Sequence, residues 1–149
     1  MRIPVKIEDM APDLETVRGF FKLSPFMVDL GVQPLAVAAG RLTTELRVAP
    51  RHLQHTGQVH AGVMASLADH SMGAAAQTLL PSGQWVVTAE LKTSLLRPGK
   101  GQRLVCEALV LKAGRALSFT EAEVYAEQDG QRTLVMKASA TMAVVAARN

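Results

Sequence analysis

The chain has a single cysteine, Cys106, in 149 residues. One thiol excludes an internal disulfide framework and a cysteine-built metal cluster. Cys106 lies in the apolar run Leu104–Leu111, where a buried structural thiol is the better reading than a reactive one. Aromatic residues are scarce, at four Phe, one Tyr and one Trp. The apolar run near the N-terminus is far too short to span a bilayer, and Pro4, Glu8 and Asp9 interrupt it. No secretory signal, internal repeat, low-complexity tract or Pro/Gly/Ser linker is visible. Only 19% of residues are charged, against 48% apolar, which excludes a disordered chain. What these shortages leave is one domain over residues 1–149, expected in the cytoplasm and without a membrane partner. A domain of this size buries roughly 68–70% of the surface its unfolded chain exposes, enough for a core without staples.

The net charge of +3 is small but unevenly placed. Residues 1–30 carry four basic and five acidic side chains. Between Lys92 and Arg115 lie six basic residues (Lys92, Arg97, Lys100, Arg103, Lys112, Arg115) and one acid, Glu107. Such a cluster suits a phosphorylated small molecule or nucleic acid, or it is a solvated set of strand ends. No aromatic residue is interleaved with it, so stacking on single strands is poorly supported. Nucleic acid is therefore not expected as a partner.

Periodicity predicts an N-terminal helical segment, residues 1–30, with one or two short helices over 12–30 broken or restarted at Pro25. Residues 34–48 read as extended and 51–59 as a polar loop. Residues 61–80 form the one long helical stretch, apolar nearly all round and so expected to be buried. Gly62, Ala65, Ser66, Asp69, Gly73 and Ala76 fall along one side of it at spacings of three and four, a side made of small residues. Pro81-Ser82-Gly83 ends it. Four strands follow: Trp85–Leu96, with Val87, Ala89, Leu91, Thr93 and Leu95 alternating, then Arg103–Lys112, Leu117–Gln128 and about Arg132–Val145. Asp129-Gly130 is a type I′ hairpin signal. Hairpin after hairpin with one long helix predicts an α+β fold, an antiparallel sheet wrapped round a central helix.

The chemistry concentrates in residues 54–69, from Gln54 to Asp69. Gly57 and Gly62 bracket a loop-to-helix junction, where the first helical N–H groups lack internal partners and the helix dipole favours negative charge. Asp69 lies about two turns further in, on the small-residue side. An ionised carboxylate on an apolar helix is costly unless paired, so Asp69 either pairs with a cation, meets solvent or does chemistry. As a base or nucleophile it could act on a carbonyl whose developing charge the helix-start amides hold. His60 suits a capping role better than a base. His52, His55, His60 and His70 show no i, i+4 pair with a third ligand in register, so no metal is expected. There is no G-x-S-x-G elbow for a serine nucleophile.

This stretch resembles the hotdog-fold thioesterases of the PaaI-like, phenylacetate-pathway group, whose hallmark reads roughly N-x-x-G-x-x-H-G-G with L-A-D on the same helix. Gly57, His60, Gly62 and Leu67-Ala68-Asp69 match it in type and spacing, and Glu90 to Gly101 is similar to the family's strand and its closing Arg-Pro turn. The resemblance covers about residues 40–145 and implies a hotdog core over 31–149. It implies that Asp69 is the general base or nucleophile, that the Ala61 N–H polarises a thioester carbonyl, and that Gln54, in place of the usual Asn, orients water or the thioester. Thr88 falls where a Ser or Thr hydroxyl often positions the attacking water. Ala61 replaces the family's first Gly after the His; it keeps the N–H while its methyl narrows the entrance. The implied substrate is an acyl- or aryl-CoA, with Gly57 and Gly62 at the site and Arg97, Lys100 and Arg115 placed to meet coenzyme A phosphates; no cofactor is implied. The family pairs two sheets edge to edge, so a homodimer or a dimer of dimers is expected, Asp69 and the Gly57–Gly62 loop of one site coming from different subunits.

Two other classes remain beside hydrolysis of an acyl-CoA. A hotdog dehydratase needs a catalytic His in a D-x-N-P-x-H or proline-rich loop, and neither is present. A non-catalytic acyl-CoA-binding protein, sensor or scavenger, keeps the fold without turnover. Sensors usually carry a DNA-binding segment, and residues 1–30 are too short and too acidic for one.

Overall fold

The computed structural model describes residues 12–146. The part of the expected N-terminal helical segment that falls on residues 1–11 lies outside the described residues. Two short helices open the described chain. Helix α1, Leu14–Phe21, is capped by Asp13, whose carboxylate accepts from the Thr16 N–H at 2.9 Å and the Thr16 hydroxyl at 2.8 Å. Helix α2, Pro25–Leu30, restarts on Pro25 at its first turn, where a missing N–H costs nothing, and stops at Gly31 with φ +84°.

The extended stretch over 34–48 is a hairpin. Strands β1, Val32–Ala38, and β2, Arg41–Arg47, turn at Gly40, whose φ of +69° an L side chain resists. The Gly40 N–H donates to Thr78 Oγ1 at 2.8 Å, tying the hairpin tip to the end of the long helix. Pro34 fits because β1 is an edge strand and its ladder shifts register between Pro34 and Ala36. The expected polar loop begins with a single 3₁₀ turn, Pro50–His52, that buries His52.

The long helix, α3, runs Ala61–Gln77, three residues shorter than its apolar pattern suggests. Thr78 caps it, its hydroxyl donating to Ala75 O at 2.6 Å. The remaining strands are β3, Gln84–Leu95, β4, Arg103–Ala113, β5, Leu117–Gln128, and β6, Gln131–Ala146. All neighbours are antiparallel, in the order β1-β2-β4-β5-β6-β3. The hairpin-after-hairpin reading therefore holds from β4 to β6 only. Strand β3 crosses over to pair with β6, leaving the other β3 edge without a partner among the described residues.

Helix α3 lies across the sheet. Met64, Leu67, Ala68, Met72 and Ala75 bury against Leu42, Leu104, Cys106, Val124, Met136 and Met142 of the strands. Burying each Leu or Met side chain contributes roughly 1.5–3 kcal/mol, so this one contact holds the layers together. Inside it, Thr44 donates to Ser71 Oγ at 2.7 Å and Ser71 donates to Leu67 O at 2.7 Å. Cys106 is free and buried beside them, and burial pushes its thiol up to about 12. The small side of α3 is only partly covered. Ala65, Ser66, Asp69 and Gly73 are half-buried and Gly62 exposed, whereas Ala76, near the end of that side, is fully buried.

One feature of β3 departs from simple alternation. Thr88 pairs with Met142 and Glu90 with Thr141, so Ala89 is the extra residue of a β-bulge. Val87 is thereby placed on the outer face with Glu90, and Thr88 shares the helix-facing side with Leu91, Thr93 and Leu95.

Candidate active site

The site is built on the approach to α3. Leu53 bridges Val59, Gln54 N–H donates to Gln58 O at 2.8 Å, and Gly57 N–H donates to Gln54 O at 2.9 Å. Gly57 makes that turn with φ +79°. Val59 N–H then donates to Gly99 O at 2.9 Å, which seats the loop against the turn after β3. A Cβ on Gly99 would sit 3.1 Å from both Val59 Cβ and Met64 Sδ. The two motif halves, far apart in sequence, therefore meet in space.

His60 is the N-cap of α3: its Nδ1 accepts from the Gly62 N–H at 2.9 Å. A Cβ on Gly62 would lie 3.0 Å from that nitrogen, so a larger residue there has to displace the His60 ring. Val63 and Met64 N–H donate to His60 O, at 3.0 and 3.4 Å. The exposed Ala61 N–H has no acceptor among the described residues. It is the donor left over for a ligand at the positive end of the helix. Gln54 is half-buried, and its side-chain amide has no hydrogen-bond partner among the described residues.

Asp69 stands two turns along the helix, half-buried, with Oδ1 accepting from the Thr88 hydroxyl at 2.7 Å. That hydroxyl also lies 3.5 Å from Met142 Sδ. Eight residues of helix separate Ala61 from Asp69, a rise of about 12 Å. A single chain thus presents an amide donor and a carboxylate that cannot touch the same carbonyl group.

The basic residues divide. Arg97 donates to Leu134 O at 2.9 Å and stands with exposed Lys100 at the end of β3 near the α3 start. Arg115 follows β4, whose 11 residues span about 35 Å, so it lies at the opposite end of the sheet from Lys100. Within the single chain these three side chains do not form one patch. Arg103 is committed elsewhere, bonding Glu45 at 2.8 Å and Glu127 at 2.5 Å. Arg132 continues that network to Glu107 at 2.8 Å and lies over the Tyr125 ring.

The histidines have separate places. His52 accepts from Ala49 N–H at 2.9 Å and bonds Leu30 O at 2.8 Å, so both ring nitrogens are occupied. His55 is exposed on the loop. His70 packs against Phe20 and Phe21, and burial holds its imidazole below the ordinary histidine range against the opposing pull of Asp69. Neither His52 nor His70 carries a local spacing signature, and sequence reasoning assigned them nothing. Among the described residues no three His, Cys, Asp or Glu side chains converge as metal ligands. No helix among them is long and apolar enough to cross a membrane.

Residues 56–133 match the family model for the thioesterase superfamily. The chain is 35% identical over 101 residues to F42H10.6 of Caenorhabditis elegans, covering 67% of this chain and 59% of that relative's length. It is 29% identical over 119 residues to human acyl-coenzyme A thioesterase 13, covering 78% of this chain and 84% of that one. The fold superposes with a TM-score of 0.85 on a thioesterase family protein from Silicibacter pomeroyi, at 31% identity, covering 87% of this chain and 96% of the other. The six-stranded antiparallel sheet around α3 is the hotdog fold, and the chain belongs to the thioesterase superfamily.

Proposed function

We propose that this protein hydrolyses an acyl- or aryl-CoA thioester to the carboxylate and free coenzyme A, in the cytoplasm and without a cofactor, with the whole chain acting as one hotdog domain. The observation that carries the reading is the pairing of Asp69 with Thr88 on the uncovered side of α3, about 12 Å from the free Ala61 amide. Thr88 occupies Oδ1 of the carboxylate and leaves Oδ2 to take a proton from water. Water adds to the thioester carbon, the carbonyl oxygen becomes an oxyanion on an Ala61 N–H, and collapse expels the thiolate, which recovers the proton from Asp69. Direct attack by the carboxylate would give an anhydride that water then opens; both routes need the same two groups.

The separation of those groups supports a homodimer. Strand β3 offers 12 residues along a free edge, with Val87, Leu91, Leu95 and Leu96 exposed, and such an edge invites pairing. Two-fold antiparallel pairing brings the Ala61 end of one subunit towards Asp69 of the other. The same reversal turns the partner's Arg115 end towards this subunit's Arg97 and Lys100, the residues we assign to coenzyme A phosphates. His60 and Gly62 hold the Ala61 amide in place, Gly57 shapes the loop, and the Gln54 amide is free to orient water or the thioester.

The test is thiol release from a panel of short, long and aryl acyl-CoAs. Turnover of at least one, abolished in Asp69→Asn, supports hydrolysis. Tight binding of acyl-CoA with no thiol release from any member would turn the reading into a non-catalytic binder.

A further inference from the structure

His70 follows directly on Asp69, yet nothing in the hydrolysis above uses it. Its ring meets Phe21 edge to face, with centroids 4.5 Å apart, and lies nearly parallel to Phe20 at 6.4 Å. Both phenylalanines belong to α1, and Phe21 is buried. The His70 Nε2 atom is buried and has no hydrogen-bond partner among the described residues. The α1 side chains against the ring are aromatic, and the charged group that bears on it is Asp69, its neighbour on α3. Consecutive helical residues do not face each other, so the two do not form an ion pair; they interact through the field.

We infer that His70 is a positioning residue for Asp69 and the group that shuts activity down in acid: uncharged, it seats α1 against the Asp69 turn of α3 through Phe20 and Phe21, and on taking a proton it loses that seat and sets a positive charge beside the base. The inference rests on the role proposed for Asp69. A cation beside a carboxylate stabilises its charged form and makes it a poorer proton acceptor. A charged imidazole packed against two phenyl rings must also be wetted, which pulls α1 away. The sign follows from burial. The folded protein disfavours the imidazolium, so the unfolded chain binds the proton more readily. The packing stabilises fully above the unfolded histidine value, about 6.5, and is lost as pH falls towards the folded value.

Three measurements on the 149-residue chain decide it. NMR titration of the His70 ring in the wild type should place its midpoint below about 6.5. The kcat/KM profile, each protein normalised to its own plateau, should have its acid limb at lower pH in His70→Phe, which keeps an aromatic ring but takes no proton. Calorimetry should show wild-type Tm falling with pH in the same window where His70→Phe holds steady. A His70 midpoint at or above 6.5, or superimposable acid limbs in the two proteins, overturns the inference. Absence of thiol release in the wild type would strike the thioesterase reading instead, and the NMR and Tm arms would still decide whether His70 is a proton-sensitive seat for α1.

Discussion

The Thr88 hydroxyl donates to Oδ1 of Asp69 at 2.7 Å because a bulge at Ala89 changes the phase of β3. In a regular strand Thr88 and Glu90 would share a face. The extra residue separates them, leaving Glu90 on the outer face and Thr88 towards α3. Two contacts then fix the hydroxyl, Asp69 on one side and Met142 Sδ on the other. The carboxylate is oriented by the strand as well as by its own helix.

That relationship gives a direct expectation for Thr88→Val, which keeps the branched shape and deletes the donor. A hydrogen bond to a charged group is worth about 1.5–3 kcal/mol, so a carboxylate that needs this orientation should lose roughly 10–100-fold in kcat. KM should change little, and Thr88→Ser should recover most of the rate. Steady-state kinetics on one good acyl-CoA reads all three. A Thr88→Val enzyme within twofold of wild type would mean that the helix alone orients Asp69.

Asp69→Asn keeps the shape and removes the proton acceptor. General-base assistance is worth about 10²–10⁴-fold, or roughly 3–5 kcal/mol of barrier. Turnover should fall at least about a hundredfold while calorimetric affinity for a non-hydrolysable acyl-CoA analogue is retained. A purely structural role predicts another pattern: lower Tm, altered oligomer state, and binding and turnover lost together.

Much of this architecture is legible in residue order because local chemistry dictates it. Asp129 and Gly130 take φ of +49° and +78°, as a type I′ turn demands, and the apolar run after His60 has no other use than a buried helix. The helical rise alone separates Ala61 from Asp69. Partnerships set by tertiary geometry leave no such trace. Nothing in β3 says that it skips β4 to pair with β6, and no pattern marks Ala89 as the bulged residue. His52 and His70 were opaque for the same reason, since their contacts at Leu30, Phe20 and Phe21 are remote in sequence. Nor does residue order show that Arg115 stands at the other end of the sheet from Arg97 and Lys100, because closeness along the chain is not closeness across an 11-residue strand.

Two glycines should respond to alanine in different degrees. Gly62→Ala brings a Cβ to 3.0 Å from His60 Nδ1, the tip of a side chain that can swing away. Losing that cap should cost about 1 kcal/mol. Gly101→Ala meets backbone instead: the Cβ would lie 2.6 Å from Glu127 O, which cannot yield without moving the β5–β6 hairpin end. The expected cost is at least about 2 kcal/mol, in the range reserved for backbone clash. Denaturant midpoints rank the two, and a Gly101→Ala protein as stable as Gly62→Ala would contradict the close packing of this turn.

The outer face of the sheet predicts a second acid transition, set by carboxylates rather than by a histidine. The Tyr125 hydroxyl and Lys137, 3.0 Å away, hold the Glu123 carboxyl below its ordinary value, and the Arg103 guanidinium does the same for Glu127. In return the Tyr125 hydroxyl is pushed up to about 12. With folded values depressed, the contribution is present above the unfolded carboxylate range and lost as pH falls through the folded values. These side chains are partly solvated, so the effect is small and screened by salt. The slope of Tm against pH below about 4.5 should flatten in Glu127→Gln and in high salt. An unchanged slope would leave the network without electrostatic weight.

Complementation of two dead subunits tests the shared site most sharply. Ala61→Pro deletes one N–H and little else: proline is favoured at the first helical position, and His60 already has φ −63° and ψ 137°, the extended backbone a residue before proline prefers. Removing a single oxyanion donor should cost about 10²–10³-fold in kcat. Asp69→Asn should be inactive for a different reason, the loss of the proton acceptor. If one site takes Asp69 from one subunit and Ala61 from the other, a mixed dimer carries one doubly defective site and one intact site. Random exchange makes half the dimers mixed, so unfolding and refolding an equimolar mixture should restore roughly a quarter of wild-type turnover. Each variant refolded alone should stay inactive. If both groups acted within one subunit, every site in the mixture would keep one defect, and no activity would return.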